Sequence, residues 1–221
     1  MRASTRIPSE ELTPFLLDVP HPGRLPPDSP ALAPSPPISW RDLFGNEHPV
    51  EIEVGFGKGL FLLTQGQARA DTNFLGIEIE RKYVLLTATK IAQQKLPNVK
   101  LACTDARWCL KERVAESSVA AVHVYFPDPW WKKRHKKRKL LTRAFAEQVG
   151  RVLQAGGRLR FATDVAEYYE ESLTMLKDVA ALRSLPSPVA DEQSVTNFER
   201  KYRQEGRPIY RALFEKQSEL A

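Results

Sequence analysis

The stretch Glu51-Ile52-Glu53-Val54-Gly55-Phe56-Gly57-Lys58-Gly59 constrains this chain more than any other. Its first residues read as a short buried strand, its glycines as a tight turn, and Leu60 to Ala68 as an amphipathic helix. Glycine at every second position lets the backbone come close to a ligand, because no Cβ intervenes and left-handed dihedrals are accessible. Strand, glycine turn and helix in that order make the nucleotide-binding corner of a doubly wound α/β sheet. A dinucleotide site carries G-x-G-x-x-G and seats a pyrophosphate on the helix N-terminus. Here the spacing is G-x-G-x-G, and Glu53 stands directly before it. A carboxylate there repels a diphosphate and suits a cationic ligand such as the sulfonium amino acid S-adenosylmethionine. The plain alternative is a glycine-rich strand end that holds no ligand.

The rest of the chain alternates in the same rhythm, which predicts a mostly parallel sheet with crossover helices. Strands are expected at 73–79, 99–104, 119–126 and 158–163, and helices at 81–95 and from about Ala106 to Val114. Leu141, Phe145, Val149 and Val152 form a helical stripe stopped by Gly156-Gly157. Asp164 with Glu167 resembles a capping box opening a helix to about Lys177. A strand near Leu182, a polar helical piece at 197–204 and a last strand at 209–215 complete the pattern. Ten of the 17 prolines fall between Pro8 and Pro37. Each proline removes a backbone donor and fixes φ, so residues 1–39 read as an extended arm and 40–221 as the α/β domain. Regular structure is expected to begin at Trp40, which sits i, i+4 to Phe44 on a short helix.

In a buried parallel sheet, acids belong at the carboxyl ends of strands, where ligands sit. Four ends carry one: Glu53, Glu78, Asp105 and Asp128. Any one alone is an ordinary turn or cap residue; four in register point to a site. Glu78 lies where an acid accepts from both ribose hydroxyls of a nucleoside. Asp105 is placed for an adenine amino group, and Glu53 for the cationic part of the ligand. Asp128 is clamped between Pro127 and Pro129 in a rigid, non-helical loop, where a transferred group would emerge.

Charge supplies the next constraint. Lys132 to Lys139 holds seven Lys/Arg and no acid, and subtracting those seven from the net +6 leaves the remainder at −1. A run of this kind is a solvated face or a phosphate-binding patch. Its density and its place beside the strand-end acids favour nucleic acid, held through phosphates without sequence choice. Cys103 and Cys109 fit neither a metal cluster nor a disulfide framework. No leader or membrane-spanning run is visible, so a cytoplasmic protein with no membrane and no metal is expected.

Six motifs, in order and spacing, resemble those of bacterial tRNA (guanine-N7-)-methyltransferases. They are Glu53 to Gly59, Gly76-Ile77-Glu78, Phe126-Pro127-Asp128-Pro129-Trp130, Lys132 to Lys139, Ala162-Thr163-Asp164 and Thr196-Asn197-Phe198-Glu199. The resemblance runs from about Trp40 to Phe214, and the Phe-Pro-Asp-Pro-Trp run with its basic tract is its most specific part. It implies a class I, Rossmann-like S-adenosylmethionine-dependent methyltransferase with tRNA as partner, acting as monomer or homodimer. The methyl acceptor would be N7 of a guanine in the variable loop, expected at tRNA position 46.

By the same resemblance Glu53, Gly55, Gly57, Gly59, Glu78, Asp105 and Asp128 line the cofactor site. Lys132, Asp164, Thr196, Asn197, Phe198 and Glu199 handle the guanine. Arg134, His135, Lys136, Lys137, Arg138 and Lys139 contact RNA. Asn197 stands where the family usually has Lys, Trp131 is larger than usual, and the arm lies outside the pattern.

The chemistry agrees. Guanine N7 carries its own lone pair, so in-line transfer needs orientation and exclusion of water and no general base. Asp128 is therefore assigned positioning and electrostatics. Asp164 and Glu199 offer acceptors for guanine N–H groups, although Asp164 also reads as a helix cap and Glu199 as a surface acid. Two other classes remain open: an NAD-dependent oxidoreductase, which the glycine spacing and Glu53 disfavour, and a non-catalytic RNA-binding module, which leaves the strand-end acids unexplained.

Overall fold

Alternation along β2 (Val50–Val54) sets the two faces of the sheet: Ile52 and Val54 go to one side, Glu51 and Glu53 to the other. The computed structural model describes residues 8–130, 139–186 and 196–218. Its sheet also contains β1 (Leu16–Leu17), β3 (Asn73–Glu78), β4 (Val99–Cys103), β5 (Val119–Tyr125), β6 (Leu153–Thr163), β7 (Leu182–Leu185) and β8 (Tyr210–Lys216). The order is β1-β4-β3-β2-β5-β6-β8-β7. All pairings are parallel except those of β8, which runs antiparallel to both β6 and β7.

The chain steps outward from β2 to β3 and β4, then returns to β5 on the other flank. That reversal opens a crevice at the carboxyl end of β2, the place where doubly wound sheets bind ligands. Apolar side chains close both faces. On one side α3 (Leu60–Ala68) and α4 (Arg81–Gln94) bury Phe61, Leu62, Val84 and Ile91 against Phe74 and Leu101. On the other, α5 (Ala106–Arg113), α6 (Arg143–Val152) and α7 (Ala166–Lys177) bury Leu110, Phe145, Val149 and Leu176 against Ile52, Val122 and Val124. α3 is buried through most of its first two turns rather than along a single stripe.

The structure departs from the sequence pattern in three places. Regular structure begins before Trp40. In the arm, α1 (Ser9–Leu12) buries Leu12, and β1 pairs with β4 in the register Leu16↔Leu101, Leu17↔Ala102. Two residues between Pro14 and Pro20 suffice for this short ladder. Next, Gly156-Gly157 does not stop α6. The helix ends at Val152, and the glycines form an irregularity inside β6, whose register against β5 jumps between Val119↔Leu153 and Ala121↔Arg158. Last, Asp164 does not cap α7: the N-cap is Val165, without a side-chain bond. The helix expected at Trp40 forms as α2 (Trp40–Phe44), capped by Ser39 and ended by left-handed Gly45.

Candidate active site

The glycine turn stands at the head of the crevice. Gly55, Gly57 and Gly59 have φ of 74°, 52° and 73°. A Cβ at Gly59 would lie 2.3 Å from the Thr87 methyl, so that glycine is required for α3 and α4 to pack. At Gly55 and Gly57 a Cβ would meet nothing within 4 Å, which leaves the bare backbone facing open space. The turn is tied down from β3: Glu78 accepts from Gly57 N–H at 2.9 Å through one oxygen, and from the Ile79 and Glu80 N–H groups through the other. A carboxylate has about four acceptor positions. Three are taken by backbone, two on one oxygen and one on the other, which leaves an acceptor position on the oxygen that holds Gly57.

Glu53 lies beneath the turn with 3% exposure, and its Oε2 is buried without a partner among the described residues. Burial, and then the neighbouring Glu78, push its carboxyl well above the ordinary range. An unpaired buried carboxylate is costly. Glu53 stands two residues before Gly55, where the backbone faces open space. The residues present therefore fit a nucleoside that carries positive charge.

Asp105 caps α5, accepting from Arg107 N–H at 2.8 Å, and both its oxygens also meet the Arg107 guanidinium at 3.0 and 2.5 Å. Burial raises its carboxyl, but the Arg107 bonds outweigh that and hold it below the usual range. It is thus ionised and oriented at the end of β4.

After β5 the chain turns through Phe126, whose φ of 52° is a left-handed conformation rare for a bulky side chain. Phe126 N–H reaches Ala162 O at 2.7 Å, and its ring packs against Tyr202 and Phe198. Asp128, two residues beyond this bend, is exposed.

α8 (Asn197–Gln204) packs against this bend through Phe198 and Tyr202. Thr196 caps it, accepting from Glu199 N–H at 3.1 Å, with half-buried Asn197 opening the helix. Phe198 stands 49% exposed. Glu199 is 4% exposed rather than a surface acid, because Arg203 and Arg211 both donate to its Oε1. Asp164 pairs with Arg207 at 2.7 Å, and that guanidinium lies 4.3 Å over the Tyr202 ring. Sequence reasoning missed all three arginines. Their only local signal is the basic composition of residues 200–211.

Lys139 is the residue of the basic tract that the described residues include. Its Nζ pairs with Glu171 at 2.6 Å and sits 4.7 Å over Tyr168, with the side chain only 16% exposed. Lys132, Arg134, His135, Lys136, Lys137 and Arg138, with Trp131, lie outside the described residues.

A buried polar chain, also missed, lies under α3. Arg69 forks onto Glu51 at 2.6 and 3.1 Å; Glu51 meets His123 Nε2 at 2.9 Å; His123 Nδ1 meets Tyr125 OH at 2.9 Å. Burial raises Glu51, but its bonds from His123 and Arg69 outweigh this and bring it to about 2. Burial keeps His123 below its ordinary value and hence neutral. The ionised Glu51 then receives Nε2–H, and Nδ1 accepts from Tyr125.

Comparison with solved structures places this architecture. The 16S rRNA methyltransferase KamB aligns with a TM-score of 0.61 at 13% identity, over 80% of this chain and 92% of that one. A SAM-dependent methyltransferase from Aquifex aeolicus aligns at 0.54 and 14% identity, over 79% and 86%. The fold is that of class I, Rossmann-like methyltransferases. A family described as "Putative methyltransferase" matches residues 47–212. A tRNA (guanine-N(7)-)-methyltransferase of Rhodopirellula baltica is 41% identical over 82% of this chain and 71% of its own length. One from Bacillus licheniformis is 37% identical over 78% and 83%. The chain belongs to the bacterial tRNA (guanine-N7-)-methyltransferase family.

Proposed function

We propose that this chain methylates N7 of a guanine in the tRNA variable loop, with S-adenosylmethionine as donor. The observation that supports the assignment, within the family, is Glu53: a buried carboxyl with an unpartnered oxygen, beside an open glycine cradle, calls for a cation. Bound there, S-adenosylmethionine would supply a methyl group made electrophilic by its sulfonium.

The chain's own residues hold and orient. Glu53 faces the cationic portion, Glu78 accepts one ribose hydroxyl, and Asp105 accepts from the adenine amino group. Guanine enters between Asp128 and the α8 wall. Phe198 offers an exposed ring to the base, while Glu199 and Asp164 present acceptors to its N1–H and amino group. N7 needs no deprotonation. Asp128 therefore serves as a fixed negative charge beside a base that becomes cationic on alkylation, and electrostatic preorganisation is its contribution. Lys132 and the tract 134–138 would hold the RNA backbone.

The direct test incubates the protein with bulk tRNA and methyl-labelled donor and analyses the nucleosides; label in 7-methylguanosine is the expected result. Label in any other nucleoside overturns the assignment. Asp128 is checked by single-turnover rates at saturating donor and tRNA. Asp128→Asn, which keeps the shape, should be clearly milder than Asp128→Ala, with tRNA binding little changed in both. Equal, near-complete loss would indicate a base role instead.

A further inference from the structure

The arm does more than dock on the sheet edge. Because β1 runs parallel to β4, the chain leaving Leu17 travels toward the carboxyl ends of the strands, the side on which the cradle opens. There it is fastened twice. Thr104, immediately after β4, donates its hydroxyl to Pro20 O at 2.7 Å. Arg24 then donates to Ile79 O, immediately after β3, at 3.1 Å. Between these anchors a 3-10 turn, Pro22–Arg24, carries the chain across. Residues 20–24 thus bridge the ends of the two strands that bring Glu78 and Asp105 to the crevice.

His21 sits in this bridge. Both its ring nitrogens are buried and unpartnered among the described residues. Buried polar atoms nearly always have partners, so an imidazole with two orphans in a bridge across the ends of β3 and β4 calls for a missing one. A neutral imidazole offers one donor and one acceptor, which matches a ribose hydroxyl or the edge of an adenine.

We infer that the arm segment 20–24 forms a wall of the adenosine end of the cofactor site, and that His21 hydrogen-bonds the adenosine. The inference rests on the assignment of that site to S-adenosylmethionine. It adds a binding element from outside residues 47–212, the part of the chain that the methyltransferase family matches.

Calorimetry with S-adenosylhomocysteine on the full chain tests it. His21→Leu should weaken binding about threefold to tenfold, the value of one ordinary hydrogen bond. The same variant should keep or raise the melting temperature without ligand, since two buried unpaired nitrogens are removed. Thr104→Val, which unfastens the bridge, should weaken binding in the same direction. In the parent chain, S-adenosylhomocysteine should slow amide hydrogen exchange across residues 16–24. Parent-like affinity in His21→Leu with no slowing of exchange overturns the inference while leaving the cofactor assignment standing. A parent chain that binds no S-adenosylhomocysteine overturns both. A lowered melting temperature with unchanged affinity makes His21 a packing residue, and that too overturns it.

Discussion

Glu53 connects ligand binding to protons. In the free protein its carboxyl is pushed up by burial and by Glu78; beside a bound cation it would be ionised. Binding then expels a proton, so affinity rises with pH below the raised value and levels off above it. Calorimetry of S-adenosylmethionine in buffers of different ionisation enthalpy should show proton release, abolished in Glu53→Gln. Buffer-independent heats in the parent chain would contradict the assignment. Arg211 pairs with Glu199, and in the proposed reading it acts through that acid. Arg211→Met should lower methylation by an amount set by one charge-assisted hydrogen bond, about 1.5–3 kcal/mol, with donor affinity unchanged. A merely structural role would instead lower the melting temperature and donor binding together. Glu53, Glu78 and Asp105 are legible in the sequence because an acid ending a buried parallel strand has few other reasons to be there. The arginines are not. Arg207 and Arg211 pair with acids distant in the chain or on another element, and Arg203 with Glu199 reads as an ordinary i, i+4 surface pair.

At the scale of elements, the sheet is readable wherever the period is clean, and obscured where a neighbour overrides a local rule. Proline density argues against a ladder in the arm, yet the exposed edge of β4 needs only Leu16 and Leu17. Gly156-Gly157 reads as a helix stop, yet pairing with β5 carries β6 across it. The chain Arg69–Glu51–His123–Tyr125 is invisible in sequence because it joins the end of α3, β2 and β5 side by side within the α3-facing layer. That chain makes the fold sensitive to acid, in two windows. His123 is held below its unfolded value, so stability starts to fall as pH drops below about 6.5, where the unfolded chain takes up the proton first. Glu51 is lowered from 4.5 to about 2, so its contribution is full above the unfolded value and disappears as pH falls through the folded one. That second contribution is on the order of 3 kcal/mol. Urea denaturation at a series of pH values should show both limbs in the parent chain. His123→Gln should flatten the upper limb alone; an unchanged upper limb would mean that His123 is not held neutral.

For the whole molecule the decisive quantity is where the charge lies. The net +6 is carried by Lys132 to Lys139, and the remainder stands at −1, so attraction to RNA should concentrate in that tract rather than spread along the chain. Of that tract, Lys139 lies among the described residues. It is paired with Glu171 and packed over Tyr168, which makes it an anchor on α7. Counterion release should therefore come from Lys136, Lys137 and Arg138, and not from Lys139. Replacing the three with Ala should weaken tRNA binding with donor affinity intact. It should also flatten the log–log salt dependence by about 0.7–0.9 for each phosphate that is no longer neutralised. Lys139→Ala should leave that slope where it was and lower the melting temperature instead. Binding isotherms at several salt concentrations, with a thermal melt of each variant, separate the two roles. A slope unmoved by the triple variant would make the tract a solvated face. A slope changed by Lys139→Ala would show that its pairing with Glu171 opens when RNA arrives.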